Sequence, residues 1–131
     1  MAKVKQITAW VANKPGDIGR IADALGKAKI NISAFICWGT GGESPLHFQV
    51  SSPAKAKKVL QDLGVRVTEE EVLRITLPDK PGVLGSVGAR LGAANINVEY
   101  AYASVATGSK KADLVLSVSD LAGAAKALRG L

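Results

Sequence analysis

Two polar turns, each leading into an amphipathic run, carry the residues whose types and spacing could bind a small charged molecule. The candidate binding residues of the first turn and of the segment after it are Asn13, Gly16, Asp17, Ile18 and Asn31. A helix that begins at this turn presents the backbone N–H groups of its first residues to an anionic group. Asn13 and Asn31 each add a side-chain donor and an acceptor.

The same pattern is repeated further along the chain. The second set of candidate residues is Asp79, Gly82, Val83, Leu84 and Asn97. The offset between the two sets is constant, since 79 − 13 = 66 and 97 − 31 = 66. Nine positions carry the same residue in both copies: Lys14/Lys80, Pro15/Pro81, Gly16/Gly82, Gly19/Gly85, Leu25/Leu91, Gly26/Gly92, Ala28/Ala94, Ile30/Ile96 and Asn31/Asn97. A gap-free match of this density indicates duplication of one supersecondary unit.

The two turns differ at the positions that would contact a ligand. Asp79 stands where the first turn has Asn13, and Val83 stands where it has Asp17. A carboxylate at position 79 attracts an ammonium group and repels a carboxylate. The sequence therefore leaves open whether both turns bind a ligand or only one does. Pro-Gly is also common at the start of a helix that binds no ligand. Asn31 and Asn97 could likewise have a purely structural role, in which they satisfy backbone groups in a left-handed turn.

Hydrophobic periodicity predicts the elements that position the first turn. Residues 4–12 alternate as a half-buried strand. A helix follows, with Asn13 or Lys14 as its cap and Pro15 at its first position. The residues expected to form its apolar stripe are Ile18, Ile21, Ala22, Leu25 and Ala28.

The rest of the first half completes the pattern βαββαβ. A second strand starts at Asn31 and ends at a glycine-rich hairpin loop over residues 39–42. The residues expected to share one face of this strand are Ile32, Ala34, Ile36 and Trp38. A third strand, a second helix that begins after Ser51-Ser52-Pro53 and a short strand at residues 65–67 follow.

The second half repeats this plan after an acidic link at residues 69–71. The residues expected to line its second strand are Ile96, Val98, Tyr100 and Tyr102. The chain ends after its last helix, so no residues are left for an eighth strand. The exposed edge of the strand at residues 72–77 is therefore expected to pair with residues 65–68 or with a partner chain.

Composition narrows the class of protein. The chain has 131 residues, a formal net charge of +6 and one cysteine, Cys37. A single cysteine excludes an intrachain disulfide framework, and no apolar run approaches the length that spans a bilayer. We therefore expect a cytoplasmic protein that does not bind a membrane. The lysines are spread over the sequence and aromatic residues are few, so nucleic-acid binding is not the favoured interpretation.

The turn Asn/Asp-x-Pro-Gly-x-Ile/Leu-Gly, the amphipathic helix and the following Ile-Asn-Ile/Val resemble the ACT domain, a small regulatory module of amino-acid metabolism. The resemblance covers nearly the whole chain as two tandem copies, residues 1–68 and 69–131. It implies an α+β fold of two ferredoxin-like βαββαβ modules with antiparallel sheets, the second lacking its final strand. No catalytic domain accompanies them, so we expect no enzyme activity and no cofactor.

The resemblance also implies a function. ACT domains bind an amino-acid effector between the first turn and the start of the second strand, often at a dimer interface. Carried over by position, this gives Asn13, Gly16 and Asn31 in the first copy. We therefore expect a homodimer that senses an amino acid and modulates an amino-acid metabolic enzyme or its own oligomerisation. A ligand-independent interaction module and an RNA-binding ferredoxin-like protein are the alternatives.

Cys37 and His47 flank the hairpin loop and could lie opposite each other across two strands, since 37 + 47 = 38 + 46. Such a pair can form a nucleophile or half of a metal site. No third ligand or orienting acid is evident, so we expect no catalytic residue and no metal site.

Overall fold

The computed structural model describes residues 1–39 and 41–131, and the protein has an α+β fold. The predicted hairpin loop at residues 39–42 includes Thr40, which lies outside the described residues. The described elements are, in chain order, β1 (Ala2–Ala12), α1 (Asp17–Lys27), β2 (Ile32–Cys37), β3 (Glu43–Val50), α2 (Pro53–Asp62), β4 (Arg66–Pro78), α3 (Val83–Ala93), β5 (Val98–Ser104), β6 (Lys111–Val118) and α4 (Leu121–Ala127).

The chain groups into two compact units, which are described separately. The first unit is Lys5–Glu70, and the second unit combines Met1–Val4 with Glu71–Leu131. In the first unit β3 lies between β2 and β1 and is antiparallel to both. Both helices contribute to one core, whose buried members are Ile7, Ala9, Val11, Ile21, Leu25, Ile30, Leu46, Phe48, Ala56, Leu60 and Val65.

The second unit has the same plan. Strand β6 lies between β5 and β4 and is antiparallel to both. Helix α4 packs against α3 and β6. The buried members of its core are Leu73, Ile75, Leu77, Val87, Leu91, Ile96, Leu114, Leu116, Ala124 and Leu128. Each unit therefore buries one helix-facing side of its own three-stranded antiparallel sheet.

The first helix starts later than its sequence predicts. Its N-cap is Gly16, and neither Asn13 nor Lys14 caps it. Gly16 has a φ of 88°, a left-handed conformation that interrupts helical geometry and that glycine adopts without strain. Pro15 therefore lies in the turn, and the helix begins at Asp17.

The predicted faces of the second strand of each half are wrong. A β-bulge lies between Ile32 and Ala34 in β2, and an equivalent one lies between Val98 and Tyr100 in β5. One extra residue in a strand moves every later side chain to the other face. The residues that follow each bulge and lie on the same face as the helix-facing core are therefore Phe35, Cys37, Ala101 and Ala103. The opposite face of the sheet carries Ala34, Ile36, Tyr100 and Tyr102.

The acidic link predicted at residues 69–71 is not a link but part of β4, which runs unbroken from Arg66 to Pro78. Nearby cations compensate its charge in the first unit, since Glu69 forms ion pairs with Lys5 at 3.4 Å and Lys57 at 3.6 Å. Residues 65–68 belong to this same strand, so they cannot cover the edge of residues 72–77 as predicted.

Candidate small-molecule site at the first turn

The start of α1 leaves backbone donors available. No side chain caps this helix; the N–H of Asp17 donates to Lys14 O at 3.4 Å and that of Arg20 donates to Gly16 O at 3.0 Å, which leaves the N–H groups of Ile18 and Gly19 without a partner among the described residues. The second unit repeats this geometry, since Gly82 has a φ of 91° and caps α3 without a side-chain bond. The positive end of the helix dipole and these N–H groups make each turn suited to an anionic group.

Asp17 closes the first turn. Its Oδ2 accepts a hydrogen bond from the backbone N–H of Ala12 at 2.8 Å, and its Oδ1 accepts one from Arg20 Nε at 3.3 Å. The residue is 5% exposed. Both carboxylate oxygens are therefore engaged inside the protein, and this geometry gives Asp17 a role in holding the turn together.

Asn13 lies against the loop that joins β2 and β3. Its backbone N–H donates to Gly42 O at 3.1 Å. A Cβ added at Gly39 would lie 3.0 Å from Asn13 Nδ2. Gly39 thus permits the loop to approach the side chain of Asn13 more closely than another residue would.

The second turn is built differently. The N–H of Asp79 donates to Lys110 O at 2.9 Å, so the corresponding loop also contacts this turn. Val83 has no group that could replace the carboxylate of Asp17, and it is half-buried. Leu84, the counterpart of Ile18, is 68% exposed. The second turn therefore has the backbone shape of the first turn but lacks the hydrogen bonds that the Asp17 carboxylate makes there.

Asn31 and Asn97 use their backbones in the same way. The N–H of Asn31 donates to Ser51 Oγ at 3.1 Å, and Asn31 O accepts from Ser51 N–H at 3.0 Å. Asn97 makes the same pair of bonds with Ser119, both at 2.9 Å. Left-handed conformation occurs at Lys29 and Asn95 instead, so the two asparagines do not serve to satisfy a left-handed turn. Their exposed side-chain amides form no hydrogen bond with a described residue.

The structure does not bring Asn13 and Asn31 together within one unit. Asn13 bonds to Gly42, just before β3, whereas Asn31 bonds to Ser51, just after it. Helix α1 also separates them, and its 11 residues extend over about 16 Å at about 1.5 Å per residue. Asp79 and Asn97 are separated in the same way by β6 and α3. One small molecule cannot contact both members of a pair in the same unit.

An apolar cleft runs along α1 in the first unit. Its lining includes Ile18 and Leu25 from α1, Ile32 and Phe35 from β2, and Leu46 and Phe48 from β3. No polar surface contributes to the lining. Ile18 is 46% exposed and Phe35 is 61% exposed, so these two side chains form the open rim. Ile18 is also the second residue of α1.

Cys37 and His47 do not form the predicted pair. Cys37 lies opposite Leu46, and His47 lies opposite Ile36, so the two side chains point to different faces of the sheet. Burial raises the pKa of the Cys37 thiol, which keeps it protonated and a poor nucleophile. His47 Nδ1 is hydrogen-bonded to Thr8 Oγ1 at 2.7 Å. Within residues 1–39 and 41–131 no group of three or more His, Cys, Asp or Glu side chains could hold a metal ion.

The family follows from a comparison with known domains. The model of the ACT domain pair matches residues 2–127. The chain belongs to the ACT domain family. This confirms the resemblance drawn from the two Pro-Gly turns. None of the helices in the described part of this ACT domain pair is long and apolar enough to cross a membrane.

Solved structures show the same fold. Protein BT0572 from Bacteroides thetaiotaomicron is 29% identical, with a TM-score of 0.90 over 97% of this chain and 87% of that one. The regulatory subunit of aspartate kinase from Thermus thermophilus, in ligand-free form, is 14% identical, with a TM-score of 0.72 over 98% and 95% of the two chains. Aspartate kinase from Synechocystis is 21% identical, with a TM-score of 0.66 over 94% of this chain and 24% of that one. No curated protein sequence matches this ACT domain pair significantly.

Sequence reasoning missed two residues of the candidate site and cleft. Gly39 was assigned only to a hairpin loop, and its contact with Asn13 joins residues 26 positions apart (39 − 13). The alternation of side chains along an unbroken strand predicts Phe35 on the other face of β2, because this pattern does not reveal the bulge. Ser33 and Glu99 fall at the two bulges with the same offset of 66 (99 − 33), which is the only sequence signal that could have linked them.

Proposed function

We propose that this ACT domain pair is a regulatory protein that binds an amino acid at the turn before α1 and at the start of β2. The observation that carries the proposal is the turn itself: no side chain caps the N–H groups of Ile18 and Gly19 at the start of α1, and Asn13 belongs to the same turn. These groups can hold a carboxylate. The free side-chain amide of Asn31 can accept a hydrogen bond from an ammonium group.

The separation of Asn13 and Asn31 defines the assembly that this proposal requires. The two charged groups of a free amino acid are too close together to reach both ends of α1. A second copy of the chain can supply the missing half, so that the turn of one copy meets the strand start of the other. In a two-fold homodimer this arrangement produces two equivalent sites. Strand β2, which ends the strand order of the first unit, offers an unpaired edge for such an interface.

The second unit contributes an equivalent but altered site. Its candidate residues are Asp79, Gly82, Val83, Leu84 and Asn97. Here the carboxylate of Asp79 favours the ammonium group over the carboxylate of a ligand. We interpret the chain as two ferredoxin-like βαββαβ modules, residues 1–68 and 69–131, the second without its final strand. The protein acts in the cytoplasm, without catalytic residues or a cofactor of its own.

Binding transmits a signal because it favours one arrangement of copies over another. The target is an amino-acid metabolic enzyme or the oligomeric state of the protein itself. The regulatory subunit of aspartate kinase among the structural neighbours supports an enzyme target. A ligand-independent interaction module is the second candidate, and the exposed Phe35 on the edge strand β2 favours it.

Calorimetric titration with the twenty amino acids tests the proposal. We expect at least one amino acid to bind, and Asn13→Ala to weaken its binding at least tenfold, since a hydrogen bond to a charged group contributes about 1.5–3 kcal/mol. Lys58→Ala is the matched control, because Lys58 is an exposed residue of α2 whose only described ion pair is with Asp62. If no amino acid binds at millimolar concentration while an enzyme is still bound, the interaction module replaces the sensor.

A further inference from the structure

We propose that His47 makes amino-acid binding at the first turn depend on pH, by way of Trp38 and the loop that contacts Asn13. This inference rests on the proposed function, because it concerns the regulation of the site that contains Asn13. The ring of His47 packs against that of Trp38. Trp38 is bonded to Gly39, and Gly39 lies against Asn13.

The ring of His47 is held between two neighbouring strands. Its centroid is 5.3 Å from that of Trp38, which follows β2, and the two planes are inclined by 38°. On the side of β1, its Nδ1 is hydrogen-bonded to Thr8 Oγ1 at 2.7 Å. His47 is 8% exposed and Thr8 is 4% exposed, whereas Trp38 is 40% exposed. A buried, polar contact at His47 is therefore joined to a side chain at the surface.

The loop that joins β2 and β3 carries this connection to the first turn. Gly39 follows Trp38 directly, and a Cβ added at Gly39 would lie 3.0 Å from Asn13 Nδ2. The same loop accepts the backbone N–H of Asn13 at Gly42 O, at 3.1 Å. Because Trp38 and Gly39 share a peptide group, a change in the position of Trp38 moves the loop against the amide of Asn13.

The charged group that faces His47 is Glu70 of β4, whose Oε1 lies 3.9 Å from Nδ1. Arg66 and Glu43 belong to the same face of the first unit and bond to each other at 2.9 Å. Glu69 points to the opposite face of β4, because successive residues of a strand alternate. The electrostatic attraction on a protonated His47 is therefore directed to Glu70.

Protonation of His47 alters both of its ring contacts. The neutral ring can accept the hydroxyl proton of Thr8 at Nδ1, whereas the protonated ring can only donate. Burial lowers the pKa of His47 and Glu70 partly offsets this effect, so the folded protein resists the proton. A bound proton attracts the ring to Glu70, at the nitrogen that also faces Thr8, and away from Trp38 on the β2 side. We therefore expect the loop to loosen and amino-acid binding to weaken as the pH falls.

The second unit lacks this connection and serves as an internal control. Val115 lies opposite Arg74 in β6 and β4, as His47 lies opposite Thr8 in β3 and β1. The equivalence follows from the duplication, since 74 − 8 = 66. Val115 cannot exchange a proton, so the second turn should not respond to pH in the same range.

An NMR titration of the full chain between pH 5 and pH 8, without any amino acid added, is the first test. The chain has one histidine, so the resonances of its ring are unambiguous. We expect the backbone amide of Gly39 and the side-chain amide of Asn13 to change with the same midpoint as the ring of His47, and the amide of Gly82 in the second turn not to change. Constant resonances at Gly39 and Asn13, or an equal change at Gly82, would overturn the inference and leave the proposed function intact.

Calorimetry at pH 8 and pH 5 is the second test, with the twenty amino acids except histidine, whose own ring titrates in this range. We expect the amino acid that binds to lose affinity about fivefold at pH 5, at the lower end of the usual coupling between two sites. By the reciprocity of linked equilibria, its addition should lower the pKa of His47 further. Equal affinities at the two pH values would overturn the inference alone. Failure of every amino acid to bind at either pH would remove the proposed function as well.

Two variants interrupt the path at different points. His47→Gln removes the group that titrates, whereas Trp38→Leu removes the ring that His47 contacts and leaves His47 in place. We expect the affinity to be independent of pH in both, although the ring of His47 still titrates in Trp38→Leu. Lys58→Ala, on the exposed side of α2, is the control and should keep the wild-type dependence. A wild-type dependence in either path variant, with circular dichroism showing a folded protein, would overturn the inference.

Discussion

The carboxylate of Asp17 accepts a hydrogen bond from the backbone N–H of Ala12 at 2.8 Å, so the first residue of α1 closes the turn that precedes it. Asp17→Val, which copies Val83 of the second unit, leaves that N–H without a partner. We expect the free energy of unfolding to fall by about 1.5–3 kcal/mol, the usual contribution of a hydrogen bond to a charged group. Urea denaturation measures the change.

Asp23→Ala is the control for this substitution. Asp23 pairs with Lys27 across one turn of the same helix, and 63% of its side chain is exposed. Such surface pairs contribute less than about 1 kcal/mol. Equal destabilisation by the two variants would show that Asp17 acts only through general helix charge.

Substitution of Gly16 in the first turn and of Gly19 in α1 should have opposite effects on stability. Gly16 has a φ of 88° with nothing near its missing Cβ, so Gly16→Ala introduces backbone strain of about 1–2 kcal/mol without a steric clash. Gly19 lies inside α1, equally free of neighbours, and Gly19→Ala should stabilise the protein by up to about 1 kcal/mol. Thermal denaturation of the two variants should therefore shift in opposite directions. A common direction would contradict the assignment of Gly16 as the left-handed cap.

Gly39 positions Asn13, and its substitution should weaken amino-acid binding. A Cβ at this position would lie 3.0 Å from Asn13 Nδ2, so Gly39→Ala displaces the amide. Gly42→Ala in the same loop is the matched control, because nothing lies within 4 Å of its Cβ. We expect at least a tenfold loss of affinity for Gly39→Ala only, with both proteins equally folded. Equal affinities would mean that the loop does not position the site.

His47 makes stability depend on pH. Burial lowers its pKa below the ordinary value of 6.5, and the nearby Glu70 partly offsets this effect. The unfolded chain therefore binds more protons than the folded chain between the two pKa values, and stability rises with pH across that range. The contribution is complete above about pH 6.5 and is lost as the pH falls below it.

Urea denaturation between pH 5 and pH 8 measures this dependence. The chain contains one histidine, and no other ordinary side chain changes charge in this range, so His47→Gln should remove the slope. Fluorescence of Trp38 offers a local probe, since its ring lies 5.3 Å from that of His47. An unchanged slope in His47→Gln would assign the dependence to another group.

The fold was predictable because its signals are local and repeated. Alternation in residues 4–12 and helical spacing at Ile21 and Leu25 both reflect burial in one core, and that burial is observed. The family was predictable for the same reason, since the Pro-Gly turn recurs in register. Glycine's tolerance of positive φ explains why each turn has a glycine at this position, Gly16 in the first and Gly82 in the second.

The remaining features of the fold and the candidate site depend on contacts between residues that are distant in the sequence, and local sequence patterns do not reveal such contacts. The bulges after Ile32 and Val98 reversed the expected faces of β2 and β5, and nothing in local propensity requires them. The glutamates at residues 69–71 looked like a linker, although lysines distant in sequence neutralise one of them within a strand. The distance between Asn13 and Asn31 likewise follows only from the path of α1.

Mixed variants test most directly the central claim that one effector bridges the turn of one copy and the strand start of another. Neither Asn13→Ala nor Asn31→Ala alone should retain a complete first-unit site. A refolded equimolar mixture should recover about a quarter of the wild-type sites, because half of the dimers are mixed and each then holds one intact site. Calorimetry with the tightest-binding amino acid counts these sites. Recovery of about a quarter supports the account, and no recovery in a mixture shown to exchange subunits would contradict it.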